Sequence, residues 1–220
     1  LDSQLAGRVI GITGSVGKTS TKDFVASALA TKFQTHANEA SFNNDFGLPT
    51  TILNAPDATE ALVLEMGMRG FGEIARLGKV ASTNIGIVTA VADAHTERLG
   101  SIDGVKKAKQ ELIESLPDSG VAILNADDLR VVAMRDATKA KILTYGTVAN
   151  ADVKILSSAI NDQGCVTAKV ASPWGEVELQ MQTAGMHMAH NALAALCVAG
   201  YLQIDLQTAA RAISGARISS

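Results

Sequence analysis

Short apolar runs alternate with amphipathic stretches from Arg8 to about Thr147, the pattern of βα units on a mostly parallel sheet. The apolar runs predict strands at Val9 to Thr13, Ala61 to Glu65, Ile85 to Ala90, Val121 to Asn125 and Lys141 to Tyr145. Their near-continuous apolar character predicts burial on both faces. Between them, apolar positions recur at helical spacing over Thr19 to Phe33, Phe71 to Gly78, Ile102 to Leu116 and Asp128 to Ala137. After Asn150 the texture changes: Val153 to Ile160, Cys165 to Ala171 and Glu176 to Gln182 predict antiparallel strands joined by NDQG and SPWG turns. Two helices, about His190 to Leu202 and Leu206 to Ser214, close the chain. The expected class is α/β, a mostly parallel sheet flanked by helices with a small antiparallel β-meander before the C-terminal helices. No internal repeat or linker interrupts it, so residues 1–220 read as one domain.

Composition narrows the function classes. With 220 residues, 47% hydrophobic and 19% charged, the chain can build a core without disulfides. Aromatics at 4% argue against a stacking platform for single-stranded nucleic acid. Nineteen basic against 22 acidic residues argue against a polybasic surface for DNA, RNA or anionic lipid. Two cysteines, Cys165 and Cys197, are too few for a disulfide scaffold or zinc cluster and fit a reducing, cytoplasmic setting. No apolar run approaches the roughly 18 residues of a membrane span, and LDSQLAGR lacks the regions of a signal peptide. A start without methionine that enters a strand within eight residues suggests a fragment.

The most informative segment is VIGITGSVGKTSTKDF, in which a strand ends at Thr13 and a helix begins near Lys18. Gly14 and Gly17 permit a tight turn whose N–H groups, with those of Ser15, Val16 and Ser20, can face phosphate oxygens at a helix N-terminus. Lys18 is placed to neutralise β- and γ-phosphates, and the Thr19 hydroxyl to bind the nucleotide's Mg²⁺. The usual phosphate loop has four residues between its glycines; here there are two, which points to a subclass with a shortened loop.

Further candidates stand at strand ends, where open α/β sheets collect functional groups. Glu65 ends the run ALVLE, where an acid can coordinate Mg²⁺ or its water. His95, in the loop VADAHTERLGS, is either a surface histidine or a ligand for metal or phosphate. Lys109 lies inside the apolar stripe formed by Ile102, Val105, Ala108, Leu112, Ile113 and Leu116. Two outcomes follow from that position. Either the amine is desolvated and its pKa falls, or the stem packs and the ammonium snorkels out at the rim.

These residues resemble the central domain of the Mur ligases, ATP-dependent peptide ligases of bacterial cell-wall synthesis. The resemblance rests on TGSVGKTSTK, SFNNDFGLPTTILN, LEMGMRGFGEI, AHTERLGS with KAKQELI, ILNADD and GMHMAHNALAA, from Thr13 to Ala195. The shortened loop is common to a superfamily that includes the folylpolyglutamate synthetases. NNDFGLP and EMGMRGFGEI point to the branch whose incoming amine is D-alanyl-D-alanine. The resemblance implies that Gly14 to Ser20 hold ATP, with Lys18 on the transferred phosphoryl group and Thr19 on a first Mg²⁺. It implies that Glu65 serves the metals, that His95 binds a second Mg²⁺, and that Lys109 matches a lysine carbamylated to bind that ion. Asn191 matches an asparagine that contacts adenine, and His187 a motif histidine of open role. Asn43 and Asn44 are substrate or phosphate contacts, or ordinary turn residues.

Ala90 and Ala92 depart from that branch, which usually carries asparagine and glycine there. The resemblance also implies an N-terminal domain for UDP-N-acetylmuramoyl-peptide and a C-terminal domain that closes over ATP, neither of which 220 residues can hold. In the whole enzyme it implies an acyl phosphate made from ATP, then displacement of phosphate by D-alanyl-D-alanine. Another amide ligase of the superfamily, adding diaminopimelate, lysine or glutamate, and a non-catalytic nucleotide-binding module are the alternatives.

Overall fold

The structure, a computed structural model, describes residues 2–39, 42–93 and 96–219. A short helix α1 (Asp2–Leu5) precedes β1 (Val9–Thr13), which runs into the phosphate loop and α2 (Lys18–Leu29). Then follow β2 (Thr35–Ala37), α3 (Gly47–Leu53), β3 (Ala61–Glu65), α4 (Glu73–Ala81), β4 (Ile85–Val88), α5 (Thr96–Leu99) and α6 (Ile102–Glu114). Next come β5 (Val121–Asn125), α7 (Leu129–Val132), a 3₁₀ turn at Ala133–Ala137 and β6 (Lys141–Gly146). The chain finishes with β7 (Val153–Ile160), β8 (Cys165–Ser172), β9 (Gly175–Ala184), α8 (Met186–Tyr201) and α9 (Leu206–Ser214).

All nine strands form one sheet in the order β2-β3-β1-β4-β5-β6-β7-β8-β9. Pairing is parallel from β2 to β7 and antiparallel from β7 to β9. The expected meander is therefore an extension of the main sheet, joined through Tyr145 opposite Val153 and Gly146 opposite Lys154. β1 lies between β3 and β4, so successive connections leave it in opposite directions and open a crevice at its carboxyl end. The phosphate loop starts at that crevice.

Each sheet face has its own core. Ile10 and Ile12 of β1 pack with Phe24, Val25 and Leu29 of α2 and with the apolar body of α8. Val9, Leu62 and Leu64 face the other way, toward Ile74 and Leu77 of α4 and Leu112 and Ile113 of α6. The alternation follows from the two-residue period of a strand, and burial on both faces explains why β1, β3, β4 and β5 are apolar up to the polar ends of β1, β3 and β5. Helix α6 is started by Ser101, whose hydroxyl accepts the Gly104 N–H at 3.1 Å. It lies close on β1 because Gly11 has no side chain there: a Cβ would stand 3.0 Å from Leu112 Cδ1. That close approach carries the first turns of α6, and Lys109 with them, toward the crevice.

Candidate functional site

The phosphate loop is a nest of backbone amides with a lysine folded over it. Gly17 sits at φ +80° and caps α2, leaving the amides of Val16 to Ser20 without an acceptor among the described residues. Lys18 Nζ donates to the Gly14 carbonyl at 2.9 Å, which holds a cation over the nest. Ser15 N–H donates to the Ala90 carbonyl at 2.8 Å, and the Thr89 hydroxyl donates to the Val16 carbonyl at 2.6 Å. The loop is thus tied to the segment after β4 and is preformed for an anionic ligand.

Gly17 is also where α8 meets the loop. A Cβ on Gly17 would stand 2.8 Å from Asn191 Oδ1, and Asn191 Nδ2 donates to the Ser20 hydroxyl at 2.8 Å. Gly17→Ala therefore meets both a left-handed backbone and a filled neighbour. We expect a loss of about 1 to 2 kcal/mol in urea unfolding, together with weaker nucleotide binding by calorimetry.

The acid at the end of β3 is the centre of a second cluster. Glu65 is 3% exposed, and each carboxylate oxygen takes one hydrogen bond. The Thr19 hydroxyl donates to Oε2 at 2.9 Å and Asn43 Nδ2 donates to Oε1 at 2.9 Å. Because Thr19 gives its proton to Glu65, its oxygen keeps lone pairs to offer a ligand. Asn43 is fixed in turn by its carbonyl, which accepts the Gly67 N–H at 2.8 Å. Asn44 lines the same cavity, while its Oδ1 accepts the N–H groups of Phe46 at 3.1 Å and Gly47 at 3.0 Å at the entry to α3.

Lys109 does not snorkel. It is 3% exposed, and it lines the same cavity as Gly14, Ser15, Lys18, Asn43 and Arg69. Burial, reinforced by the nearby positive charge of Lys18, lowers its pKa from 10.5 to about 7. The cavity has a volume of about 630 Å³ and lies at the carboxyl ends of β1 and β3. Glu111, two residues on, holds α6 against the start of α4 by accepting the N–H groups of Gly72 at 2.7 Å and Ala75 at 3.2 Å.

The structure brings together Gly14 to Ser20, Asn43, Glu65, Lys109 and, behind the loop, Asn191. His95 lies outside the described residues. Up to Asp93 the approach to it is fastened by backbone bonds, since the Ala92 N–H donates to Ser15 Oγ at 2.9 Å and Val91 N–H to Asp128 Oδ2 at 2.8 Å. Ala90 and Ala92 contribute main chain to that fastening. His187 is exposed at the start of α8.

Sequence reasoning missed Asn38, Lys22 and the pair Asp127 and His190. His190 Nε2 lies 3.0 Å from Asp127 Oδ2, linking α8 to the β5 end. Burial pushes the Asp127 carboxyl up, but the Thr147 and Val148 amides, the Thr147 hydroxyl and His190 outweigh it and hold it below its ordinary value. Nothing in the spacing of ILNADD and GMHMAHN shows that they meet.

Comparison with known proteins gives concordant matches. A family model described as the Mur ligase middle domain matches residues 12–199. A UDP-N-acetylmuramoyl-tripeptide–D-alanyl-D-alanine ligase of Bacillus subtilis is 35% identical over 217 residues, which is 98% of this chain and 46% of that protein. Among solved structures, MurF from Acinetobacter baumannii superposes with a TM-score of 0.92 at 28% identity, covering 99% of this chain and 48% of that one. MurF from Thermotoga maritima in complex with ADP superposes with a TM-score of 0.82 at 25% identity, covering 98% and 50%.

Proposed function

Since the chain belongs to the Mur ligase family through its middle domain, we propose that it is the ATP-binding part of a ligase joining D-alanyl-D-alanine to UDP-N-acetylmuramoyl-tripeptide. The chain spans about half the length of the relatives it matches, 46% of the Bacillus subtilis protein and 48% of the Acinetobacter baumannii one. The UDP-sugar site and the domain that closes over ATP are assigned to the rest of such a protein. The observation that carries the reading is the cavity where β1 and β3 end. It is lined by the phosphate loop with Lys18, by the buried Lys109 of lowered pKa, and by Asn43, which bonds the carboxylate paired to the Thr19 hydroxyl.

Each residue then has a task. Lys18 exchanges the Gly14 carbonyl for a phosphate oxygen, and the free amides of the loop donate to the others. Thr19 and Glu65 offer hard oxygen donors, which suit Mg²⁺; among the described residues no cluster of three His, Cys, Asp or Glu is present to cage an ion without help from phosphate and water. When bound, Mg²⁺ neutralises phosphate charge so that a carboxylate can approach the γ-phosphate. Asn43 keeps Glu65 turned toward Thr19. Lys109, with a pKa of about 7, is about half neutral at pH 7, and a neutral amine can attack CO₂: the N–C bond forms, one proton leaves, and a carbamate anion replaces the cation. That exchange gives the cavity an oxygen ligand where a buried ammonium is costly.

The test uses the full-length gene product with UDP-N-acetylmuramoyl-tripeptide and ATP. ADP release with D-alanyl-D-alanine and not with single amino acids is expected. Release with diaminopimelate, lysine or glutamate as the incoming amine, with the acyl substrate varied alongside, assigns the chain to another amide ligase of the superfamily. ATP binding with no ADP release for any acceptor reduces it to a nucleotide-binding module. The 220-residue chain alone is expected to form no amide.

A further inference from the structure

Asn38 is completely buried, yet it is polar and lies just past the end of β2, where the ladder to β3 stops at Ala37 opposite Val63. Its side-chain amide takes over where the strand leaves off. Oδ1 accepts the Glu65 N–H at 2.8 Å, and Nδ2 donates to the Glu65 carbonyl at 3.1 Å. One planar amide thus satisfies both main-chain groups of Glu65, a task that two residues of a continuing parallel strand would share. The second Nδ2 hydrogen goes to the Phe42 carbonyl at 2.9 Å, one residue before Asn43. Asn38's own N–H donates to the Val63 carbonyl at 3.3 Å, and its carbonyl accepts from Lys22 Nζ at 3.0 Å. Lys22, 2% exposed and 3.2 Å from Asp23 Oδ1, belongs to the helix that the phosphate loop starts.

Asn38 therefore grips, at one point, the backbone of the acid, the backbone entering the asparagine that orients that acid, and the helix that carries Thr19. From this juxtaposition we propose that Asn38 is a positioning residue that sets the Glu65 carboxylate against the Thr19 hydroxyl, and thereby sets the affinity of the site for the nucleotide's divalent cation. The inference rests on the reading of Thr19 and Glu65 as the metal side of the nucleotide site. Removing the amide leaves Glu65 on β3 but frees its main chain on the β2 side. The 2.9 Å Thr19 to Glu65 contact then loses its fixed geometry, while the phosphate nest, held by Ala90 and Thr89, is untouched.

The experiment is calorimetric titration of the 220-residue chain with ATP, once with Mg²⁺ and once in EDTA, for wild type, Asn38→Asp and Asn38→Ala. Thermal melts establish which variants are folded. Asn38→Asp keeps the volume and the acceptor for the Glu65 N–H but loses both donors, and it is the variant that reports if the alanine form does not fold. We expect the affinity for MgATP to fall by about tenfold or more while the affinity in EDTA stays within about twofold. A folded variant that keeps the wild-type gain from Mg²⁺ overturns the proposal, as does an equal loss in EDTA, which is general damage to the loop. Wild type that binds ATP equally with and without Mg²⁺ also overturns it, but leaves the phosphate nest standing. Wild type that binds no ATP at all removes the underlying nucleotide reading.

Discussion

Lys18→Ala is expected to lower the affinity of the chain for MgATP by about a hundredfold or more, which is about 3 kcal/mol, with little change in fold. In the structure Lys18 is half-buried and its ammonium makes one hydrogen bond, to the Gly14 carbonyl at 2.9 Å. Nothing in the core depends on it, so the melting temperature should move little. The loss falls on the ligand, because a triphosphate entering the nest needs a cation among its oxygens and Lys18 stands nearest the amides. Calorimetry with a melt as control measures it. Unchanged affinity in a folded variant would remove Lys18 from the phosphate site.

Lys109→Met is expected to make the protein more stable. An ammonium whose pKa falls from 10.5 to about 7 on folding carries a penalty of about 4 to 5 kcal/mol when protonated. The sign follows from proton counts. Between pH 7 and 10.5 the unfolded chain holds the proton and the folded chain does not, so wild-type stability rises with pH across that window. At pH 7 and below the penalty is present almost in full. The methionine variant lacks the titration, so its advantage should be largest at pH 7 and below, up to about 4 kcal/mol, and should shrink toward pH 10.5. Urea unfolding of both proteins in CO₂-free buffer at pH 6, 8 and 10 measures this. A constant difference at all three values would mean that Lys109 keeps its ordinary pKa. Because the charge of Lys18 is the second cause of the shift after burial, Lys109 should also titrate somewhat higher in the Lys18→Ala protein.

A residue that costs stability where the core would accept methionine is what a functional amine looks like. The apolar stripe of α6 exposed that conflict in the sequence, but it could not decide between burial and snorkelling. The close approach of α6 over Gly11 decides it, and that depends on tertiary packing.

Long apolar strands were legible for the same reason that they are stable. Val9–Thr13, Ala61–Glu65 and Val121–Asn125 are buried at every position, so an apolar run marks each up to its last, polar residue. Thr35–Ala37 was not legible, since a three-residue edge strand of half-buried residues has no run to show. The bounds of helix α3, after Asn43 and Asn44, were not legible either, because GLPTTIL places glycine and proline in its first turn and offers too few residues for a period. The helix expected over Asp128 to Ala137 is a short helix followed by a 3₁₀ turn. In α8 the apolar residues run all round, so periodicity set its start near His190 although the helix begins at Met186.

The site divides in the same way. Lys18, Thr19 and Glu65 are legible because strand, glycine turn and helix stand in order along the chain. Asn38 was not, because an asparagine after a short polar strand looks like any turn residue until β3 is placed beside it. Asp127 and His190 needed α8 to cross above β5 and β6.

The convergence of the phosphate nest, the Thr19–Glu65 pair and Lys109 on one nucleotide is the centre of this account. A crystal structure of the chain with Mg²⁺ and a non-hydrolysable ATP analogue tests it most directly. The account predicts the terminal phosphates on the amides of Gly17 to Thr19, Lys18 Nζ moved from the Gly14 carbonyl to a phosphate oxygen, and the ion on the Thr19 hydroxyl facing Glu65 and Lys109. A nucleotide bound elsewhere, with Lys18 still on Gly14, would contradict it.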